Sequence, residues 1–194
     1  MVRIKTPVSI LIALLSLTSI CHAQSRNLLK NPDAYQQREH WRTFGEATVE
    51  DSCSCFVVRN GGYFLQDVEL PDDAVGQYAL FIGHGASERI NSDGAITGLP
   101  YLYGYMMEAE DSILAYVQEP QMRAQTSIVD EWVMMWGIVE VPAKTKKIRF
   151  FLNQALRNGV PHNGSAARFT DLGLYLFATE KEARAFVTQY RLAG

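Results

Sequence analysis

Alternation of apolar and polar residues runs through the middle of this chain. A period of two is typical of a β-strand with one buried face, because successive side chains point to opposite sides of a sheet. Residues that interrupt strands separate the alternating segments, among them Pro71, Gly83, Gly85, Pro120 and Pro142. The segments predicted as strands are 63–70, 78–82, 101–107, 113–118, 132–141, 147–154 and 169–177. Strands at this spacing predict an all-β fold, a jelly-roll β-sandwich.

The C-terminal end of the chain changes from strand to helix periodicity. Thr179 and Glu182 stand three positions apart, the spacing of a capping box, in which each side chain bonds a free backbone amide of the other residue. The apolar positions that follow at i, i+3, i+4 and i+7 are Ala183, Phe186, Val187 and Tyr190. We expect a short helix over 179–191 that covers the sandwich or a sheet edge, with docking of a partner as the alternative.

The first 23 residues have the three parts of a secretory signal peptide. Arg3 and Lys5 precede an apolar run over 8–20 that is too short to cross a bilayer, and the segment 21–23 ends in a small residue suited to cleavage. We therefore expect a signal peptide over 1–23 and a secreted or periplasmic protein that begins at Gln24. An uncleaved anchor is the alternative.

The chain that remains is long enough for one domain with a hydrophobic core. We expect a single domain over 24–194, with the sandwich at 27–177. The sequence has a formal net charge of −3 and no basic tract, so nucleic acid is not expected as a partner. No apolar run after the signal has the length of a transmembrane helix, and no membrane-spanning segment is expected there.

Two cysteines follow the predicted cleavage point, Cys53 and Cys55. In an exported protein a pair of cysteines favours a disulfide. Two strand residues at this spacing lie near the outer limit of the Cα separation that a disulfide tolerates. Three states stay open: a local bridge, which is favoured slightly, two free thiols, or an intermolecular link. A metal site is not expected, because the pair has no further ligands nearby in the sequence.

Several segments occur in an order that is typical of one fold family. Asn27 opens the segment 27–32, with Trp41 downstream, Gln66 lies in 65–70, and Asp171 lies in 167–174. The remaining segments of the series are 78–81, Trp132 with 139–142, and 147–152. This order resembles the galactose-binding-like β-sandwiches, particularly the carbohydrate-binding modules attached to bacterial cellulases and xylanases. The resemblance covers about 27–177 and implies a bacterial, non-catalytic module that binds carbohydrate.

The resemblance also raises the question of a structural calcium ion. In the family, a glutamate in the first loop and a paired aspartate near the end often hold one. Here the matching positions offer Asp33 and, at the end, only Asp171. Calcium takes six or more oxygen ligands, so these two carboxylates need backbone carbonyls to complete a site. We expect no cofactor, and calcium is the alternative.

Strand parity places aromatic and polar side chains together on one side of two predicted strands. The positions expected in the core are Val133, Met135, Val139, Val141, Ile148, Phe150 and Leu152. The side chains that then face outward are Trp132, Trp136, Arg149, Phe151 and Asn153. If the two strands pair, the indoles can stack on sugar rings while Arg149 and Asn153 bond hydroxyl groups. Alternatively, the tryptophans are core residues in the reversed register or lie beneath the C-terminal helix.

A second candidate surface is the strand that carries Tyr101, Tyr103 and Tyr105 on one face. Tyrosine also suits a half-buried strand, so a purely structural role is the alternative. Gly104 between them allows close approach of another backbone or of a ligand. In the polar loop that follows residue 154, His162 is the histidine best suited to a contact at the rim of a site, with a plain exposed loop residue as the alternative.

Catalytic motifs are scarce. The histidines at 40, 84 and 162 lack the spacing of a metal site, and the serines lack the context of a nucleophile elbow. The acidic residues at 108–111 and 130–131 resemble a solvated turn and a strand entry, not the acid and nucleophile of a glycosidase. We expect no enzymatic activity, with a hydrolase that combines distant carboxylates as the alternative.

These observations predict an exported, non-catalytic binding module. Its expected ligand is a carbohydrate, such as a cell-surface glycan, held by outward-facing aromatic residues. The alternative is a protein-interaction or cell-envelope structural module that uses the tyrosine strand or the C-terminal helix to bind an envelope protein.

Overall fold

The computed structural model describes residues 26–88, 98–124, 128, 130–155 and 166–193. The predicted signal peptide and His162 lie outside these ranges. The elements, in chain order, are β1 (Arg42–Glu50), β2 (Cys55–Glu69), β3 (Tyr78–Ser87), β4 (Leu99–Met107), β5 (Ile113–Val117), a 3-10 turn (Pro120–Met122), β6 (Val133–Glu140), β7 (Lys147–Ala155), β8 (Ala166–Phe177) and α1 (Glu180–Ala193). The predicted all-β sandwich with a short C-terminal helix is confirmed.

The strands are antiparallel and follow the order β5-β4-β7-β2-β8-β3-β6, with β1 paired to β2. The long strand β2 belongs to two sheets, because its residues 63–69 pair with β7 while 56–59 pair with β8. The first sheet therefore contains β5, β4, β7 and the C-terminal half of β2. The second contains the N-terminal half of β2, β8, β3 and β6.

The hairpin of β1 and β2 passes from one sheet to the other at a bulge. The register shifts between Phe44 and Glu46, and Gly45 between them has a φ of +61°. On the partner strand a Cβ at Gly62 would lie 2.6 Å from the backbone oxygen of Glu46. Glycine at both positions thus permits the bend and the close approach of the two backbones.

Aromatic rings fill the space between the two sheets. Phe81 of β3 stacks on Phe150 of β7, with ring centroids 5.3 Å apart. Trp41 is buried against Phe56, with centroids 5.0 Å apart, and its Nε1 donates a hydrogen bond of 3.0 Å to the backbone oxygen of Asn31. The indole thus satisfies its one polar group while its ring closes one end of the core.

The predicted strand parity is confirmed. Met135, Val141, Ile148, Phe150 and Leu152 are fully buried or nearly so, and Val133 and Val139 pack against the same core. Gly104 permits a close approach of a neighbouring backbone, as predicted, since a Cβ there would lie 3.1 Å from the backbone oxygen of Arg149, and a still closer approach of a core side chain. A Cβ there would lie 2.5 Å from the ring of Phe81.

Two features at the N-terminal end differ from expectation. Strand β1 and the first half of β2 were not predicted; in β2, residues 55–58 are buried on both faces and so do not alternate. The segment 27–32 resembles a first strand but is irregular. Its place beside β8 is held by Asn27, whose Nδ2 donates to the backbone oxygen of Leu172 at 2.8 Å and whose Oδ1 accepts from the amide of Leu174 at 3.1 Å.

The C-terminal helix covers the outer face of the second sheet, as expected. Its capping box is formed, with Thr179 and Glu182 exchanging hydrogen bonds of 3.1 and 3.2 Å. Val187 packs on Leu80 and Ile82 of β3. Residues that are partly buried around this cluster are Met134, Trp136, Ile138, Tyr175, Phe177, Phe186 and Tyr190. None of the described helices is long and apolar enough to span a membrane.

Candidate functional site: an aromatic face on the first sheet

The outer face of the first sheet carries exposed aromatic residues. Helix α1 packs against β3, β6 and β8, all of the second sheet. No described helix packs on the opposite side of the molecule, where Phe44 is 45% exposed and Tyr116 is 64% exposed. Large apolar groups gathered on a surface indicate a binding site more often than chance exposure.

The strand register arranges these side chains in rows that cross the sheet. One row joins Phe44 and Tyr63, which pair between β1 and β2, to Asn153 and Tyr101 on β7 and β4. The next row contains Leu65, Phe151 and Tyr103. The third runs from Asp67 through Arg149 and Tyr105 to Tyr116 on β5. Alternation along each strand brings all three rows to the same side of the sheet.

The rings of these rows touch in a continuous series. Phe151 is central: it stacks on Tyr103 with centroids 4.3 Å apart and contacts Tyr63 at 5.9 Å and Tyr105 at 5.0 Å. The series ends at Phe44, which stacks on Tyr63 at 4.7 Å, and at Tyr116, which meets Tyr105 edge-on at 5.1 Å. We call this surface the aromatic face; it consists of Phe44, Tyr63, Tyr101, Tyr103, Tyr105, Tyr116 and Phe151.

Contacts among the rings leave the tyrosines of β2 and β4 half-buried, whereas Tyr116 stays exposed. Burial raises the pKa of Tyr103, and the neighbouring Tyr105 raises it further, although a hydrogen bond with Asn153 opposes the shift. Burial likewise raises the pKa of Tyr101 and outweighs the opposing effect of Arg123. Both hydroxyl groups therefore stay protonated at neutral pH and can donate as well as accept hydrogen bonds.

A band of charges borders the rings on β2 and β7. Asp67 accepts hydrogen bonds from Nε of Arg149 at 2.6 Å and from Arg42 at 2.6 Å. Asp111 bonds Lys147 and lies 3.5 Å from Arg149. Partial burial acts to raise the pKa of Asp67, but the hydrogen bond and charge of Arg149, with Arg42 and Lys147, outweigh it, and the pKa is lowered.

The pKa of Asp111 is also lowered, by its hydrogen bond to Lys147 and by the charges of Lys147 and Arg149. Both carboxylates are therefore ionised at neutral pH. Their partners are held in place on the sheet surface, with guanidinium and ammonium groups beside the rings. Rings next to fixed polar groups suit a ligand that has apolar faces and hydroxyl edges.

The structure separates the four residues predicted to form one sugar platform. The assumption that their two strands pair is wrong: β6 pairs with β3 at the far edge of the second sheet, whereas β7 lies between β4 and β2. Arg149 and Asn153 consequently join the tyrosines on the aromatic face. Trp132 and Trp136 lie on the other sheet.

Trp136 lies beside α1, which agrees with the alternative prediction that the tryptophans lie beneath the C-terminal helix. The guanidinium carbon of Arg184 lies 5.8 Å from its ring centroid. The two residues line a depression of about 80 Å³ together with Glu119, Gln121, Gly137 and Ile138. This volume is below the roughly 300 Å³ at which ligand pockets usually begin. Trp132, just before β6, is 40% exposed.

The members of the aromatic face and of its charged band that were not proposed as ligand-binding residues from the sequence include Phe44, Tyr63, Tyr116 and Asp67. Tyr63 and Asp67 belong to the first predicted strand, and parity alone would have placed them on one face. Phe44 could not be found in this way, because it lies on the unpredicted β1. Phe151 was predicted to face outward; it does so, yet it is only 5% exposed because the neighbouring rings cover it.

The cysteines lie at the turn between β1 and β2. Cys53 and Cys55 are joined by a disulfide, with Cα atoms 5.2 Å apart. Among the described residues, Glu50 and these two cysteines form the one group of three metal-ligating side chains in close reach of one another. Because the two sulfur atoms bond each other, this group is not a metal centre in the structure.

The candidate calcium ligands, Asp33 and Asp171, are far apart in sequence but act on each other electrostatically. Burial raises the pKa of Asp33, and the charge of Asp171 raises it further. Asp171 also lies 3.3 Å from Nδ1 of His84. The described residues add no third carboxylate to this pair, so the set falls short of the oxygens that calcium requires unless carbonyl groups supply them. The calcium site stays a prediction.

Comparison with known proteins identifies relatives in fold and not in sequence. No protein-family model and no curated protein matches the sequence. Two solved carbohydrate-binding modules do match the structure. TmCBM61, solved in complex with beta-1,4-galactotriose, has a TM-score of 0.51 at 19% identity, over 79% of this chain and 99% of that chain. The CBM22-1 xylan-binding domain from Paenibacillus barcinonensis Xyn10C has a TM-score of 0.54 at 10% identity, over 80% and 97%.

A third match is the enzymatically active domain of bacteriophage CBA120 tailspike protein 4, with a TM-score of 0.54 at 13% identity. The match covers 78% of this chain but only 21% of the tailspike chain, so the likeness concerns a small part of that protein. At these identities the comparisons establish the fold. The chain has the β-sandwich fold of the carbohydrate-binding modules.

Proposed function

We propose that this protein is an exported, non-catalytic carbohydrate-binding module that holds a glycan on the aromatic face. The observation that carries the proposal is the continuous series of rings on the outer face of the first sheet. This face is uncovered, whereas the corresponding outer face of the second sheet is covered by α1. Two proteins of the same fold were solved or described as carbohydrate binders, one with galactotriose and one as a xylan-binding domain.

The chemistry of the face suits sugars. The C–H side of a pyranose ring packs on an aromatic plane, while hydroxyl groups at its edge bond fixed polar groups. Phe44 and Tyr116, which are exposed, and the half-buried Tyr103 supply the planes, and Arg149, Asn153 and the tyrosine hydroxyls supply the polar groups. The series crosses five strands, which at their usual separation span about 19 Å. This length suits a stretch of polysaccharide more than a single sugar.

The carboxylates of the face support a binding role. A glycosidase needs one carboxylic acid whose pKa is raised, so that it is protonated when it meets the glycosidic oxygen. The pKa values of Asp67 and Asp111 are instead lowered by their cationic neighbours. These groups position arginine and lysine side chains and do not act as proton donors.

Affinity electrophoresis of the full chain through gels that contain soluble polysaccharides tests the proposal. We expect retardation of the wild type by at least one neutral or acidic plant or bacterial polysaccharide, and loss of that retardation in Tyr103→Ala. Tyr35→Ala is a matched control, because Tyr35 is 79% exposed and lies outside the face. Equal retardation of Tyr103→Ala and the wild type, or no retardation in any gel, would contradict the proposal.

The second candidate is a protein-interaction or envelope structural module. Of the two surfaces considered for it, the apolar stripe of α1 is already used against Leu80 and Ile82. The aromatic face would therefore be its binding surface as well. Capture of one defined envelope protein, together with no retention on any polysaccharide, would favour this candidate over carbohydrate binding.

A further inference from the structure

The cations near the aromatic face differ in whether a carboxylate neutralises them. Arg42 and Arg149 bond Asp67, and Lys147 bonds Asp111. Arg123, in contrast, has no carboxylate partner among the described residues, and its side chain is exposed. One uncompensated positive charge therefore lies at the end of the face opposite the charged band.

The position of Arg123 is fixed by its neighbours. Its backbone forms a β-bridge with Tyr101, and the adjacent Met122 is completely buried. The amide of Ala124 donates a hydrogen bond of 2.9 Å to the backbone oxygen of Pro100. The guanidinium carbon lies 5.0 Å from the ring centroid of Tyr101. The group is thus held over a ring that the proposed ligand would meet.

The row that ends at Arg123 contains no acidic side chain. It runs through Phe44, Tyr63, Asn153 and Tyr101, which are rings and one amide. The third row contains Asp67, and Glu69 lies beyond it opposite Lys147. Among the described residues, a negatively charged ligand group would consequently meet a guanidinium without a carboxylate partner at the Arg123 end, whereas the cations at the other end already bond Asp67 and Asp111.

We propose that Arg123 binds the carboxylate of a uronic acid, so that the aromatic face selects acidic polysaccharides. This inference rests on the proposed function. The planar guanidinium presents paired N–H donors that match the two oxygens of a carboxylate, a geometry that a neutral sugar does not exploit. The protein as a whole has a net charge of −3 and so does not attract polyanions generally. Preference for an acidic chain must come from a local group.

Matched ligands test the inference. Polygalacturonate, alginate and glucuronoxylan are each compared with their carboxyl-reduced forms, in which the uronic acid is converted to a neutral sugar. We expect wild-type protein to bind at least one acidic polymer about tenfold more tightly than its reduced form, because a hydrogen bond to a charged group has about this value. The preference should fall as salt is added, since the contact is exposed.

Variants locate the effect. Arg123→Gln should lose the tenfold preference and bind the acidic and reduced polymers equally, whereas Arg123→Lys should keep part of the preference. Arg38→Gln is the matched control, because Arg38 is exposed and outside the face. An unchanged preference in Arg123→Gln would overturn the inference, as would equal binding of acidic and reduced polymers by the wild type.

Two further outcomes separate the alternatives. Tighter binding of a sulfated galactan than of every uronic-acid polymer, lost in Arg123→Gln, would overturn the assignment to a carboxylate. Binding of neutral polysaccharides alone, lost in Tyr103→Ala, would overturn the inference and leave the proposed function in place. Absence of all polysaccharide binding would overturn the proposed function itself.

Discussion

The two outer faces of the sandwich carry similar side chains but differ in exposure to solvent. On the second sheet, Leu80 and Ile82 are completely buried beneath α1, and Trp136 and two aromatic residues of β8 are partly buried around them. On the first sheet, rings at the same alternate spacing remain at the surface, with Tyr116 64% exposed. Outward aromatic residues therefore do not identify a binding surface by themselves. What distinguishes the two faces is whether another part of the chain covers them.

The difference has an energetic consequence. Side chains under α1 stabilise the fold through the apolar area that they remove from water. Rings on the first sheet bury part of their area against one another and leave the rest exposed. That exposed area is available to a ligand. Contact of the apolar surface with water is unfavourable in the free protein, and a ligand that covers the surface removes this contact.

The largest expected effect concerns stability at the covered face. Ile82→Ala should lower the free energy of unfolding by about 2–5 kcal/mol, because it removes a fully buried side chain and leaves a cavity under the helix. Tyr116→Ala on the open face should change it by about 1 kcal/mol or less. Urea denaturation measures both. Equal losses in the two variants would contradict the distinction between a covered and an open face.

The second prediction concerns the charged band of the open face. The pKa of Asp67 is lower in the folded protein than in the unfolded chain, so its ionised form stabilises the fold above its unfolded pKa. This contribution is lost as the pH falls through the folded pKa, below about 4. Asp67→Asn should therefore be less stable than the wild type at pH 7, and the difference should shrink at pH 3.

Thermal denaturation at the two pH values measures this effect. Asp72→Asn is the control, since this carboxylate is fully exposed and its ion pair, with one lysine nitrogen, is long at 3.7 Å. A difference between Asp67→Asn and the wild type that stays constant from pH 7 to pH 3 would show that the carboxylate charge does not stabilise the face.

The smallest expected effect has the opposite sign and belongs to the covered side of the molecule. Burial and then Asp171 raise the pKa of Asp33, whose charge also acts on Tyr175 and Tyr190. With a raised folded pKa, stability is greatest at low pH and declines as the pH rises from the unfolded to the folded pKa. Asp33→Asn should therefore be modestly more stable than the wild type at pH 7 and equal to it at low pH.

Thermal denaturation without and with added calcium measures this effect. Loss of stability in Asp33→Asn at pH 7, together with a calcium-dependent rise in the melting temperature of the wild type only, would contradict the expectation. That result would instead support the calcium site that the fold family suggests.

Several parts of this protein could be predicted from local patterns. Parity in 147–154 correctly buried Ile148, Phe150 and Leu152 and turned Arg149 and Asn153 outward. The capping box and the apolar stripe predicted α1 and its covering role. These predictions succeeded because each depends on a period set by residues near in sequence. The strand β1 was missed because the hairpin it forms with β2 is bent by a bulge, which interrupts alternation at Gly45.

The candidate site was predicted only in part, for a different reason. Tyr101, Tyr103 and Tyr105 were grouped correctly, since they share one strand. Joining Trp136 to Arg149 failed, because it required a pairing between strands that no local pattern specifies. A ligand-binding role for any of these residues remains a prediction until polysaccharide binding is measured.

The sequence by itself determined most of the strands, the two sides of those strands and the ability of the last segment to pack as a helix. Those properties follow from backbone geometry and from side chains a few positions apart. Only the tertiary structure decided which strands are neighbours: β7 lies beside β4, and β6 pairs with β3. It also decided which of the two outer faces α1 covers. Hydrogen bonds between strands form equally well with many partners, so the choice depends on packing of the whole core.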